Sequence, residues 1–512
     1  MTGKNTSAFD RGNGILLHIS SLPGEFGVGN LGKSAFDFVD YLKKAGQKYW
    51  QILPMGPVSS GYFYSPYSSY SSFAGNKLFI DPETLQNEPW ISGDILHGIN
   101  TSENTDLSDF EQGEKNINLV LKEAEENFRN SSDLSIIESF RDFCSRNSYW
   151  LDNFALFEAL SGYFNSMDWR GWDKGLKERD PNVLNNFRQK FEKEIGFSKF
   201  GQFIFFQQWE KLKEYSRTRG IKIIGDIPIY TGMDSADVWA NTEIFQFDNN
   251  LEPEGVAGVP PDYFSQTGQK WGNPLYRWFD DEKPFEKTFE WWNKRIARLL
   301  EMVDIVRIDH FRGFESFWKI PPDKPDGAVG EWERGPGSEL FKYIRKKSGV
   351  LPVIAEDLGI ITEEVNNLRE GEGFPGMKIL QFAYDGHSDN PYLPENITDN
   401  NCVIYTGTHD NNTSMGWFNE EINDPETKKY IRSKLKIDND EEFIWKFIEA
   451  AVTSRADISI IPLQDLLELG SEARLNTPGT SGNSNWRWRV SSNSLNKKNM
   501  ERLKDLCISS GR

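Results

Sequence analysis

The sequence predicts an α/β protein that folds as a (β/α)8 barrel, the TIM barrel, with long helical and loop insertions between its strands. Eight short apolar runs, most of them rich in β-branched residues, recur along the 512 residues and alternate with helical or loop segments. Acidic residues stand at the ends of several runs, which is where the active sites of barrel enzymes lie. A doubly wound open sheet is the alternative, but residues 24–29 match its Gly-rich phosphate-binding turn only loosely.

The predicted strands follow one another at intervals along the chain. They cover residues 14–19, 49–54, 221–226, 303–309, 351–356, 377–382, 402–407 and 458–463. A helix over 34–45 follows the first strand, because Phe36, Val39 and Leu42 share one helical face. Thr362, followed by two glutamates, is typical of a helix N-cap with an acidic first turn after the fifth strand.

Two long insertions interrupt this order. Residues 81–220 are rich in charged, helix-forming residues, and large aromatic side chains recur there at helical spacing, namely Phe143, Trp150, Phe154 and Phe157. No Pro/Gly-rich linker brackets this stretch, so we interpret it as a helical insertion subdomain of a single catalytic barrel that covers 1–512. Residues 231–286 are predicted to form a loop-rich insertion.

Composition excludes several classes of function. The formal charge of −19 and the pI near 4.9 argue against a nucleic-acid partner, since phosphate binding needs a basic face. The three cysteines are widely spaced and form neither a disulfide framework nor a metal-binding pair. Residues 1–14 are polar, and no stretch of the sequence is long and apolar enough to span a membrane. We therefore expect a cytoplasmic protein with no membrane partner.

The segment 306–313 places ionisable groups at the end of the fourth strand. Side chains at i and i+2 share a strand face, so Arg307 and Asp309 should lie side by side. A cation this close favours the ionised carboxylate, which suits a nucleophile. A buried ion pair that only holds the strand end is the alternative. Strict alternation turns His310 to the opposite face, unless the strand has already ended.

Further carboxylates follow other predicted strands. Asp226, Asp309, Glu356 and the pair His409 and Asp410 stand at or just after strand ends, so they should meet on one face of the barrel. Such acids, without a phosphate loop or a nucleophilic Ser or Cys, suggest glycosidic bond chemistry. Metal binding competes as an interpretation, but the spacing offers no His-x-x-x-His pair and no calcium loop. We expect no metal and no cofactor.

Several motifs resemble those of the amylomaltases, or 4-α-glucanotransferases (disproportionating enzyme), relatives of the α-amylases. The resemblance extends from about residue 14 to the segment Asn485-Trp486-Arg487-Trp488-Arg489. The matching motifs lie at 65–67 with 73–76, 225–230, 234–239, 307–313, 355–359 and 406–411. The most distinctive is Val256-Ala257-Gly258-Val259-Pro260-Pro261-Asp262-Tyr263-Phe264, which continues through Gln269, Trp271 and Asn273. Members of this family lack the separate C-terminal β-domain of amylases, and only a short tail follows the last strand's helix here.

This resemblance implies a retaining double displacement on α-1,4-glucans. Asp309 would be the nucleophile that forms a covalent glucosyl-enzyme, and Glu356 the acid and then the base. Asp410 would bind sugar hydroxyls and distort the ring, with His409 and Arg307 in support.

The resemblance also implies a set of substrate contacts. Tyr67 and Asp226 would contact the sugar at the cleavage point. The loop 256–273, within the insertion 231–286, would form a lid over the acceptor side. Its candidate contacts are Tyr263, Phe264, Gln269, Trp271 and Asn273, and Asn485 is a further candidate.

Three positions depart from the family's pattern. Lys77 stands where Pro is usual, Tyr64 where Asp is frequent, and Asn412 where Asp is usual. The first two affect the loop near Tyr67. Asn412 removes a charge beside Asp410, which is expected to alter a pH profile rather than the reaction.

The function predicted from the sequence is therefore transfer of α-1,4-glucan segments to a glucose or glucan acceptor. The partners would be maltooligosaccharides and larger α-1,4-glucans, and the protein a monomer or homodimer. Water competes with the acceptor for the same intermediate, so an α-1,4-glucan hydrolase is one alternative. A non-catalytic glucan-binding protein is another, although a binding module has no need for three acids.

Overall fold

The computed structural model describes residues 9–88, 90–99, 106–261, 265–480, 482 and 484–512. In chain order its strands are β1 Gly12–Leu16, β2 Tyr49–Gln51, β3 Lys222–Pro228, β4 Val256–Val259, β5 Gln269–Pro274, β6 Phe279–Asp280, β7 Lys283–Pro284, β8 Ile305–Asp309, β9 Ser316–Ile320, β10 Glu331–Arg334, β11 Val353–Ala355, β12 Gly376–Ile379, β13 Cys402–Tyr405 and β14 Ile458–Pro462. Two of these strands, β6 and β7, form a short antiparallel hairpin.

Eight strands form the central parallel sheet, in the order β11-β8-β3-β2-β1-β14-β13-β12. The Ala355 amide of β11 donates at 2.9 Å to the carbonyl of Pro375, the residue before β12, and this contact brings the two outer strands together to complete the barrel. Strands β1, β13 and β14 are buried at every position, as expected for strands covered on both faces. Each predicted strand overlaps one of these eight strands, and the predicted TIM barrel is confirmed.

The helices cover the barrel and build its insertions. They are α1 Lys33–Lys44, α2 Pro82–Asn87, α3 Gly93–Gly98, α4 Phe110–Arg129, α5 Leu134–Phe164, α6 Lys174–Lys177, α7 Pro181–Lys190, α8 Glu192–Thr218, α9 Ala236–Ala240, α10 Glu286–Met302, α11 Gly337–Ser348, α12 Glu363–Glu372, α13 Ser414–Gly416, α14 Pro425–Leu435, α15 Phe443–Thr453, α16 Leu463–Leu466 and α17 Lys497–Ser509. Helix α1 buries Phe38, Val39 and Leu42 against the barrel, and Thr362 is the N-cap residue of α12.

Helices α2 to α8 lie between β2 and β3, in the stretch predicted to be helical. The long helices α5 and α8 pack through aromatic rings, with Phe143 5.7 Å from Phe203 and 5.8 Å from Phe206 between ring centroids. The C-terminal half of α8 also joins the barrel wall, because the Trp209 indole donates to the Met302 carbonyl at 2.9 Å. The bounds 81–220 for an insertion subdomain stay a prediction.

The insertion expected to be loop-rich contains strands. β4 and β5 pair antiparallel, and β4 also pairs with β9, which in turn pairs with β10. The sequence did not reveal this four-stranded sheet because its order, β10-β9-β4-β5, joins segments on both sides of β8. Pairing between such distant segments leaves no local turn signal. In the described part of the chain, no helix has the length and apolar character needed to cross a membrane.

Candidate active site

A buried arginine joins two carboxylates at the C-terminal ends of β3 and β8. The register of the two strands sets Asp226 opposite Arg307. Arg307 Nη1 donates to both oxygens of Asp226, at 2.9 and 2.7 Å, and to Asp309 Oδ1 at 3.0 Å. Asp226 and Arg307 are buried, whereas the Asp309 side chain keeps 28% of its surface exposed. The predicted adjacency of Arg307 and Asp309 is therefore found, and Asp309 is the member of the group that a ligand can reach.

Tyr67 completes this chain of contacts. Its hydroxyl donates to Asp226 Oδ2 at 2.6 Å, and burial raises the pKa of Tyr67 well above its usual range. Its ring stacks on the His409 imidazole at 5.0 Å, with 16° between the planes. Tyr67 thus connects the Asp226 end of the site to the segment that carries Asp410.

The loop that carries Tyr67, residues 54–76, is held by the 234–239 motif. The Ser72 amide donates to Asp237 Oδ2 at 2.6 Å, and the Ala236 amide donates to the Tyr70 carbonyl at 3.0 Å. Burial raises the pKa of Asp237 to about 6, and the Ser72 amide opposes that rise. The sequence motif therefore fixes a loop from which Tyr67 reaches the site.

Glu356 leaves β11, the strand next to β8. Its amide donates to the Ile308 carbonyl at 3.0 Å, so the residue stands beside the end of β8. Its carboxyl group accepts from the amides of His310 at 2.7 Å and Leu358 at 2.8 Å. Burial, followed by the negative charge of Asp309, raises the pKa of Glu356 to about 8, against the opposing effect of Arg307. A carboxyl group that stays protonated near neutral pH is suited to a general acid.

The strand ends at Asp309, which settles the orientation of His310. His310 has a left-handed backbone with φ of 55°, so the alternation of the strand stops there. Its ring makes an edge contact with Trp271 at 4.8 Å between centroids, and burial lowers the pKa of His310 to about 4. A neutral imidazole therefore lies between the end of β8 and strand β5.

The surroundings of Asp410 lower its pKa, whereas those of Glu356 raise the pKa of that residue. Burial acts to raise its pKa, but the neighbouring His409 and a hydrogen bond from Asn476 lower the pKa of Asp410 to about 2. His409 Nε2 lies 3.3 Å from Oδ2, and Asn476 Nδ2 donates to Oδ1 at 2.7 Å. The side chain is 45% exposed, and Arg474 binds the Asp410 backbone carbonyl at 2.9 Å. Asp410 is thus a fixed, ionised carboxylate that is open to a ligand.

The residues predicted to contact the acceptor differ in their exposure and in their hydrogen-bond partners. Trp271 is 38% exposed, and its indole donates to Gln269 Oε1 at 3.2 Å. Asn273 instead holds the Thr231 carbonyl at 2.8 Å. Tyr263 and Phe264 lie outside the described residues.

Asn485 uses its amide within its own loop. It accepts from the Thr477 amide at 3.2 Å and donates to Thr480 Oγ1 at 3.1 Å. Its contact with a ligand stays a prediction. The sequence does not reveal the nearby Asn476 as part of the site, because the Asn-Thr-Pro-Gly segment has the composition of an ordinary turn.

The three departures from the family's pattern have structural partners. Lys77 lies 3.6 Å from Glu158 of α5. Tyr64 is buried with φ of 58° and stacks on Phe110 at 4.7 Å. Asn412 is buried and donates to Glu421 Oε1 and Ser471 Oγ, both at 3.0 Å, so its amide supports the fold behind Asp410.

Comparison with known proteins identifies the family. Residues 17–495 match the family described as 4-alpha-glucanotransferase. The chain belongs to this family. A 4-alpha-glucanotransferase of Clostridium butyricum is 45% identical over 93% of this chain and 96% of its own length. A 4-alpha-glucanotransferase of Thermus thermophilus is 42% identical over 96% of this chain and 97% of its own length.

One solved structure agrees with this family assignment, and a second shares the fold. An amylomaltase from Streptococcus agalactiae in complex with acarbose matches with a TM-score of 0.93 and 38% identity, over 98% of this chain and 99% of that one. The amylomaltase of Corynebacterium glutamicum, at 18% identity and a TM-score of 0.78, shares the fold over 97% of this chain and 75% of its own. The predictions of an enzyme and of a 4-alpha-glucanotransferase are confirmed.

Removal of the buried cation should destabilise the site strongly. Arg307→Met would leave Asp226 and Asp309 close together without their shared partner, and we expect a loss of about 3–5 kcal/mol in the free energy of unfolding. Asp226→Asn in the same chain should recover part of this loss, because it removes one of the two charges. Urea unfolding at neutral pH measures both effects.

The control is Arg217→Met, which removes an exposed arginine paired with Glu214 at 2.6 Å on the surface of α8. We expect no measurable shift of its unfolding midpoint. If Arg307→Met unfolds at the same urea concentration as this control, Arg307 does not hold the two carboxylates.

Proposed function

We propose that the protein transfers segments of α-1,4-glucan to a glucose or glucan acceptor by a retaining double displacement at Asp309 and Glu356. The observation that carries this proposal is the contrast between these two carboxyl groups on neighbouring strands. Asp309 is bound to Arg307 and partly exposed, whereas burial raises the pKa of Glu356. Neighbouring strands lie about 4.8 Å apart, a spacing compatible with the roughly 5–5.5 Å between carboxyl groups that retention requires.

In the first step, an oxygen of Asp309 attacks the anomeric carbon of the donor. The glycosidic bond breaks, and Glu356 gives its proton to the leaving oxygen, which becomes a hydroxyl of the released glucan. In the second step, Glu356 takes the proton of an acceptor hydroxyl as that oxygen attacks the glucosyl-enzyme. The bond to Asp309 breaks, and both carboxyl groups return to their starting states.

The remaining polar groups would position the sugar. Asp410 presents an ionised carboxylate held by Asn476 and lying beside His409, and such a group accepts strong hydrogen bonds from sugar hydroxyls. Asp226 shares Nη1 of Arg307 with Asp309 and accepts from the Tyr67 hydroxyl, so Tyr67 and Asp226 would limit the position of the sugar at the cleavage point.

The sheet formed by β10, β9, β4 and β5 supports transfer rather than hydrolysis. Through β5 it places the partly exposed Trp271 over His310, one residue from the proposed nucleophile. An aromatic lid at this position would exclude water and stack on an acceptor sugar. The wider acceptor-side role of 231–286 is part of the same proposal. Maltooligosaccharides and larger α-1,4-glucans are the proposed partners, while oligomeric state and cytoplasmic location stay predictions.

Maltotriose should be disproportionated by the protein into glucose and chains longer than three units, because the glucosyl-enzyme is captured by a sugar acceptor. Product separation by size measures this outcome. Glucose and maltose without longer chains would indicate hydrolysis and contradict transfer.

Asp309→Asn and Glu356→Gln should each abolish turnover while the circular dichroism spectrum is retained. Asp323→Asn, which changes a carboxylate that is 73% exposed, is the control and should keep full activity.

The pH profile should report the protonation of Glu356. The acid form of Glu356 is present below its pKa of about 8 and is lost as the pH rises through that value. We therefore expect kcat/KM for maltotriose to fall on an alkaline limb near this pH. Initial rates between about pH 6 and 10 test the prediction. A profile that stays level to the upper end of this range would contradict the assignment of Glu356 as the acid.

A further inference from the structure

A second cleft lies apart from the catalytic carboxylates, where α5 of the helical segment meets the barrel helix α10. Its volume is about 520 Å³, within the roughly 300–1,000 Å³ typical of ligand sites. Each side of the cleft contributes side chains: Tyr149 and Asn153 from α5, Asn241 and Glu243 from the segment after α9, and Trp291 and Lys294 from α10. In the described part of the chain, none of the residues that line it belongs to the candidate active site.

The floor of this cleft is a fixed group of aromatic rings. Phe73 makes edge contacts with Tyr149 and with Trp291, each at 5.8 Å between ring centroids. Phe73 and Trp291 are buried, but Tyr149 keeps 44% of its surface exposed. The Tyr149 ring is therefore held in place by its neighbour while part of it remains open to solvent. A ring that is already held can stack against the apolar face of a sugar without losing more side-chain freedom on binding.

The charged groups of the cleft are balanced rather than of one sign. Three lysines face four carboxyl groups, and these are Lys287, Lys294, Lys347, Asp237, Glu243, Glu286 and Glu290. Lys287 lies 3.6 Å from Glu243, and Lys347 lies 3.8 Å from Glu290. An anionic ligand would meet a slightly negative site in which two of the cations already have carboxylate partners, and Lys294 Nζ lies 5.9 Å from the centroid of the Tyr149 ring. A neutral ligand rich in hydroxyl groups fits better, since carboxylates, amides and an ammonium group can all bond to hydroxyls.

We propose that this cleft is a second α-glucan binding site, which holds one segment of a polymer while another segment reaches Asp309. The proposal rests on the function proposed above, because it takes the same class of ligand. Two sites on one protein raise the apparent affinity for a chain that can occupy both. The gain should appear with a long, branched glucan such as glycogen and be absent with maltotriose. Phe73 lies in the loop 54–76 that also carries Tyr67, so the two sites share one supporting element.

Retention of the protein by glycogen in native gels tests the proposal. Asp309→Asn serves as the parent, so that binding is read without turnover. Addition of Tyr149→Ala should weaken the apparent affinity about three- to tenfold, as expected for the loss of one stacked ring. Tyr149→Phe should retain the parent's affinity, because it keeps the ring. Tyr430→Ala removes a half-buried tyrosine on α14 and is the matched control.

In the active protein, Tyr149→Ala should raise KM for glycogen and leave both kcat and KM for maltotriose unchanged. If glycogen retains the Tyr149→Ala and Tyr430→Ala proteins equally in native gels, and circular dichroism shows that both are folded, the proposal is overturned. An equal rise in KM for maltotriose would also overturn it, since Tyr149 would then act at the catalytic site.

Release of the parent from glycogen by inorganic phosphate at constant ionic strength would identify an anion site instead. Failure of the unsubstituted protein to disproportionate maltotriose would contradict the proposed function separately, because gel retention reads binding alone.

Discussion

The structure of the site depends on the contact of one buried guanidinium with two carboxylates. Arg307 lies between Asp226 and Asp309, and its burial carries a desolvation cost that only close hydrogen-bonded partners can offset. This requirement fixes the register between β3 and β8 at the point where the barrel opens. It also fixes Tyr67, because the Tyr67 hydroxyl takes Asp226 as its acceptor. The position of Asp309, the proposed nucleophile, thus follows from this one interaction, as do the adjacent strand ends and the loop above them.

The same barrel face gives three carboxyl groups different properties through their surroundings. Glu356 is buried beside the negative Asp309, and both effects favour its protonated form. Asp410 lies beside His409 and accepts from Asn476, and these contacts favour its ionised form. Asp309 retains contact with both Arg307 and solvent. Aspartate and glutamate side chains can therefore fill the three proposed roles of acid, nucleophile and fixed anion, because their surroundings differ.

The sequence predicted the features that depend on local pattern. Eight short apolar runs predicted the barrel, and the spacing of Arg307 and Asp309 predicted their contact, since alternation along a strand is a local property. The features it missed depend on contacts between distant segments. The pairing of β9 with β4 has no turn signal, and the hydrogen bond from Asn476 to Asp410 crosses 66 positions. The left-handed backbone of His310 was also missed, because a positive φ is uncommon for any residue other than Gly and depends on the surrounding structure.

The most direct test of this account is the identification of the residue that becomes covalently glycosylated. In Glu356→Gln, α-maltosyl fluoride can still form the intermediate, because fluoride leaves without a proton, but removal of the sugar lacks its base. Mass spectrometry of the digested protein should then find a maltosyl group on the peptide that contains Asp309. The same adduct should be absent when Asp309→Asn is added. A maltosyl group attached to Asp226, Asp410 or any other residue would contradict the account.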